Sequence, residues 1–340
     1  MEDVLRAAAF GDRPGADVWW ALTGTPRERW LAAVVLGGQG HYAAAATALG
    51  PLLRSGDHLI VSLAASTLAS HRRQLGGHAA ARTLDALALS AAQAAQPAAA
   101  QPAAAQPAAA QPAAAQSAAA EPAAAQPAAA EAEPTAATDP DGIDIVGARA
   151  DALLGLAADA LGAGRTAEAR RLHARVTPHH WRPRVRHGWV AAEIELADGH
   201  AQRAVAPAEA ALHHAETAGA MRHTLKSRLV LGTALVVWGT PESVDRGAHL
   251  LQCDLNHTNS HGLLSLIWPT ALVLLTTPPG RNSAESARLR EAAANALSCV
   301  LRRADPISRR IAARSPWIPA SLLRSGEPPN ADAETNFLTD

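Results

Sequence analysis

Cysteine, tyrosine, phenylalanine and lysine are all scarce in this chain of 340 residues, which has two Cys, one Tyr, two Phe and, at position 226, a single Lys. Cys253 and Cys299 lie far apart without CxxC spacing, which argues against a disulfide framework. They read as reduced, buried thiols of a cytoplasmic protein. An excess of one charge sign is missing too. The formal net charge is −1, so no bulk field draws nucleic acid or an anionic membrane. The most apolar run, Leu263–Leu275 (LLSLIWPTALVLL), is too short to span a bilayer and contains Pro269, so it predicts a buried helix. The N-terminus, MEDVLRAAAFGDRPG, puts acids ahead of any apolar stretch, the reverse of a signal peptide. No HExxH, GxSxG or nucleotide fingerprint occurs. The glycine-rich LGGQGHY follows a helical pattern and not a strand, so it is no phosphate cradle.

What the chain has in abundance is alanine, and one stretch of it is unlike the rest. From Pro97 to Glu131 the sequence runs in pentapeptides of the type PAAAQ. A proline every five residues removes a helical hydrogen bond and adds a clash, at about 3 kcal/mol each in a helix interior. Three alanines between prolines cannot offset helix nucleation. Residues 93–142 therefore read as a disordered Ala/Pro/Gln linker between two folded stretches, 1–92 and 143–304.

Both flanking stretches carry helical signals. Thr25-Pro26-Arg27-Glu28 is a capping box with proline at the first helical position, and Thr240-Pro241-Glu242 and Asn282-Ser283-Ala284-Glu285 mark further starts. Apolar residues recur at helical spacing, as in Leu289, Ala293, Leu297, Val300 and Leu301, while alternating β-branched runs are nearly absent. The chain reads as all-α. A longer period lies over the helices: Ala33–Gly40–Ala45 returns as Ala69–Gly76–Ala81, Ala157–Gly164–Ala169 and Ala192–Gly199–Ala204, and more loosely as Gly232–Gly239–Val244. Successive glycines are 36, 88, 35 and 40 residues apart, and removal of the 50-residue linker shortens 88 to 38. Each unit predicts a helix, a glycine turn and a second helix, with small residues where the two helices cross. Such pairs bury their apolar faces only by stacking on neighbours.

This pattern resembles the tetratricopeptide repeat, a helical hairpin of about 34 residues with small residues at its eighth and twentieth positions and glycine at its fifteenth. Ala33, Ala157 and Ala192 match the first small position and Ala45, Ala169 and Ala204 the second. The likeness covers roughly residues 26–92 and 143–258. The chain departs from it at Trp30, one position late, and in spacing that drifts to 40. Residue usage, rich in alanine and arginine, resembles that of actinobacterial proteins. The resemblance implies a right-handed α-solenoid of five to six hairpins with a binding groove built from first helices. Counted back from the turn glycines, Arg27 and Trp30 share their offsets with Arg186 and Trp189, and Lys226 shares the offset of the arginines. With Glu193 these residues form the expected groove, offering cations beside rings to an acidic, partly apolar peptide. The alternative is that the tryptophans pack between neighbouring hairpins.

Other candidates carry less. The cluster HHWRPRVRHGW, His179–Trp189, lacks the acid or cysteine that would complete a metal site with His179, His180 and His187, and reads as a solvated loop. Its Arg182, Arg184 and Arg186 around Trp181 could meet phosphates, but no basic surround extends them into a nucleic-acid surface. His213, His214, His249, His257 and His261 read as helix-face or cap residues. Residues 305–340 predict an end cap over the last hairpin, then a disordered tail from about Gly326. The expected job is that of a non-enzymatic peptide- or protein-binding scaffold, with no cofactor or metal. The rival class is a regulatory component of transcriptional control, which, lacking a helix-turn-helix, would act through a DNA-binding partner; an enzyme with an unrecognised site is the third reading.

Overall fold

The computed structural model describes residues 1–96, 139–277, 283–319 and 322, and no strand occurs among them. The PAAAQ run, Asn282 and the tail beyond Leu322 lie outside the described residues. A short helix α1 (Glu2–Phe10) and a 3-10 turn (Trp19–Thr23) precede six hairpins. The first pairs α2 (Pro26–Gly38) with α3 (Tyr42–Leu52), the second α4 (His58–Gln74) with α5 (His78–Ala94). Next come α6 (Ile145–Gly162) with α7 (Thr166–His173) and α8 (Trp181–Ala197) with α9 (Ala201–Thr217). The last two pair α10 (Met221–Trp238) with α11 (Pro241–Ser260) and α12 (Leu264–Leu275) with α13 (Ser283–Arg302), before a final α14 (Pro306–Arg314).

Local chemistry sets the helix limits. At α2, the Thr25 hydroxyl accepts from the Glu28 amide while the Glu28 carboxylate accepts from the Thr25 amide, which satisfies two otherwise orphaned donors. Asp57, Asp144, Thr240 and Asp305 cap other N-termini in the same manner. Gly40, Gly76, Gly164, Gly199 and Gly239 all sit in turns between the two helices of a hairpin, with φ of 83°, 75°, 69°, 76° and 80°. Only glycine adopts that left-handed backbone without a steric penalty.

The small residues on either side are crossing points. Ala33, Ala45, Ala69, Ala81, Ala157, Ala169, Ala192 and Ala204 are each 0% exposed. Bulk there must separate two helices, so Ala192→Leu or Ala204→Leu is expected to cost about 1–3 kcal/mol, read as a lower melting temperature. Melting curves that match wild type for both variants would contradict this packing. The fifth unit departs from the expected phase. Gly239 is itself the C-cap of α10, whereas Asp198 caps α8 and Gly199 follows it. The extra helical residue turns the crossing onto Gly232 and Gly247, leaving Val244 only half-buried. A Cβ on Gly247 would lie 3.0 Å from the Gly232 carbonyl oxygen.

The hairpins form a closed array. First helices touch in the order α2, α4, α6, α8, α10, α12, and α12 returns to α2. There Ser265 Oγ donates to the Gly38 carbonyl at 2.8 Å, and nearby the Ala43 amide donates to the Arg303 carbonyl at 2.8 Å. α1 bridges α2 and α10, where the Met221 amide donates to the Gly11 carbonyl at 3.0 Å.

Several expectations change on this frame. Residues 139–142, assigned to the linker, are part of the packed structure: Asp139 accepts from Arg6 and Arg27, and Gln93 and Ala94 belong to α5. The loop expected at His179–Trp189 becomes α8 from Trp181 onward. Pro183 is accommodated because it lies in the first helical turn, where its missing N–H leaves no gap. α14 does more than cap the last hairpin. Arg72 of α4 pairs with Asp305 at 2.6 Å and with Ser308, and Ile311 packs on Gly77, so α14 ties α13 back to the second hairpin. Cys253 and Cys299 are free of disulfide and half-buried, not buried. Among the described residues no helix is long and apolar enough to cross a membrane.

Candidate functional site

The two tryptophans of the repeated Arg-x-x-Trp pair occupy equivalent places. Trp30 Nε1 on α2 donates to Thr67 Oγ1 of α4 at 2.9 Å, and Trp189 Nε1 on α8 donates to Ser227 Oγ of α10 at 2.8 Å. In both, the indole reaches across to a hydroxyl on the first helix of the next hairpin. Their exposure differs. Trp30 is 2% exposed, and Phe10 of α1 packs against it at 5.9 Å between ring centroids. It lies in the core and offers a partner no surface. Trp189 is half-buried, stacked on His223 at 5.7 Å.

The arginines differ likewise. Arg27 binds Glu2 at 2.8 Å and Asp139 at 2.9 Å. Arg186 shares Asp151 with Arg182, each at 2.5 Å, so one carboxylate of α6 holds two guanidiniums of α8. α1 therefore sits where a ligand of the first hairpin was expected. Its Glu2 meets Arg27, its Phe10 meets Trp30, and Arg182 lies 5.5 Å over the Phe10 ring. An acidic, partly apolar helix of the chain itself covers those residues.

The three remaining residues come together on α8 and α10. Lys226 Nζ stands 5.8 Å over the Trp189 ring and 3.8 Å from Glu193 Oε1, and all three side chains are partly exposed. Such a cation over a ring is worth about 0.5–1 kcal/mol at an exposed site. The arrangement can present an aromatic face, a cation and an acid within one side-chain length.

Sequence reasoning missed the interior between the helices. Phe10, Arg182, Arg222, His71 and His223 converge there, and only the amphipathic spacing of Leu5, Ala8 and Ala9 hinted that α1 packs inward. His71 is buried and stacked on Tyr42 at 5.1 Å, and burial with the nearby Arg222 and Arg72 charges pushes its pKa down to about 3. His223 is held neutral by burial and by Arg222, Arg182 and Arg186. The histidine cluster is dispersed: His180 lies 3.2 Å from Asp144, while His187 stacks on His173 at 3.7 Å. Among the described residues no three His, Cys, Asp or Glu side chains are placed to hold a metal ion. Two of the three arginines around Trp181 are bound to Asp151, which leaves Arg184 exposed alone. Comparison of the chain with protein-family models, with curated proteins and with solved structures gives no match.

Proposed function

We propose that the protein is a non-enzymatic adaptor: a tetratricopeptide-like, right-handed helical array that binds an acidic, partly apolar peptide or protein segment. The observation that carries this reading is the patch of Trp189, Lys226 and Glu193 on first helices, left open while α1 covers Arg27 and Trp30. Half-exposed tryptophan beside a cation is the kind of anchor that dominates binding energy at interfaces. A lysine whose one carboxylate partner among the described residues lies 3.8 Å away on the surface loses little by exchanging it for an acid of a partner.

Selection of peptides from a displayed library against the full chain, followed by affinity measurement, tests the proposal. Selected sequences are expected to combine acidic and apolar residues. Lys226→Glu is expected to weaken them by about tenfold or more, since a like charge replaces the cation, without moving the melting temperature. Selected peptides that bind wild type and Lys226→Glu equally would place the binding surface elsewhere.

A further inference from the structure

Four arginines surround the two buried histidines: Arg72 and Arg222 act on His71, and Arg182, Arg186 and Arg222 act on His223. Three of the four are paired with a carboxylate. Arg72 has Asp305, and Arg182 and Arg186 have Asp151. Arg222 has no carboxylate among the described residues. Its Nε is buried with no hydrogen-bond partner, although the side chain as a whole is only partly buried, so solvent reaches its far end. A buried guanidinium without a counter-ion is costly, and arginine does not escape by losing its proton.

No acid among the described residues acts on Arg222. Arg222 lies in the first turn of α10 and passes so close to α2 that a Cβ on Gly38 would stand 2.8 Å from its Nε. Across from it are Tyr42 and His71. The Tyr42 hydroxyl donates to Gln74 Oε1 at 2.8 Å, and Nδ1 of His71 is buried without a partner, as is Nδ1 of His223. Among the described residues the one cation that acts on Arg222 is Arg186, which adds repulsion from α8.

We propose that Arg222 is the anchor of an oxyanion-binding site inside the helical ring, taking a compact phosphate or carboxylate group in bidentate fashion on its guanidinium. Planar guanidinium suits both oxyanions, and a charge-assisted pair in partly desolvated surroundings is stronger than one in water. The site is separate from the Trp189–Lys226 patch and does not depend on the peptide-binding reading.

Thermal denaturation of the full chain in chloride buffer, with inorganic phosphate or acetate added at constant ionic strength, tests the site. Wild type is expected to show a saturable rise in melting temperature with one of the two probes, and the probe that gives it identifies the chemistry. Arg222→Met is expected to melt no lower than wild type in chloride, because it removes an unpaired charge, and to lose the saturable rise. Should that variant fold poorly, Arg222→Lys serves instead: it keeps the charge but not the bidentate fork, and about tenfold weaker binding is expected. No saturable rise in wild type with either probe, or equal rises in wild type and in the substituted chain, would overturn the proposal.

Discussion

Asp254→Asn is expected to raise the melting temperature at pH 8 by on the order of 10 °C, with the gain shrinking as the pH is lowered towards 4. Asp254 lies on α11 at 0% exposure, and neither carboxylate oxygen has a hydrogen-bond partner among the described residues. Burial pushes its pKa up from 3.8 to about 8, against the weaker pull of Arg228, which is itself engaged with Glu216 at 3.1 Å. In the unfolded chain the same carboxyl ionises at its ordinary value. The folded protein therefore holds a proton that the unfolded chain releases, and stability falls as pH rises between about 4 and 8. Above that range the loss is complete, on the order of 5 kcal/mol. Asparagine keeps the shape of the protonated acid and removes the titration. Melting temperatures measured from pH 4 to pH 8 decide the matter: wild type should decline relative to the variant, and parallel profiles would show that the carboxyl titrates normally.

Trp30→Ala is expected to destabilise the fold by about 3–5 kcal/mol, a fall on the order of 10 °C, because it opens a cavity where α1, α2 and α4 meet. The indole is 2% exposed, touches Phe10, and loses its hydrogen bond to Thr67. Trp189→Ala removes the equivalent bond to Ser227 but from a half-buried ring, and its cost should be clearly smaller. Chemical denaturation of both variants gives the comparison. Equal losses would mean that the two positions are equally buried in solution.

The same pair of tryptophans marks how far the sequence could be read. Their common offset from a turn glycine was visible, and it does reflect a common role: each bridges to the next first helix. Which one stays accessible was not visible. That depends on α1, which returns from the N-terminus to lie on Trp30, and no local pattern in residues 1–10 states where a helix will dock. The charges follow the same rule. Arg186 looked available for a ligand until Asp151, 35 positions away and in another hairpin, was placed beside it. Arg222 carried no signal at all, since an arginine is conspicuous only when the acids around it can be counted.

By itself the sequence determined most of the helices, their glycine turns and four of the five crossings, but not the first turns of α8. A glycine with positive φ, a capping threonine or aspartate, and an alanine at a crossing act over a few residues, so their meaning is local and periodic. Even there one added helical turn residue before Gly239 moved the fifth crossing from Val244 to Gly247. Only the tertiary structure decided that α12 returns to α2, that α14 ties back to α4, and that Asp139 and Asp141 belong to the fold. Closure depends on contacts between residues more than two hundred positions apart, Ser265 with Gly38, Ala43 with Arg303 and Arg72 with Asp305. Such contacts leave no mark on any short stretch of the chain.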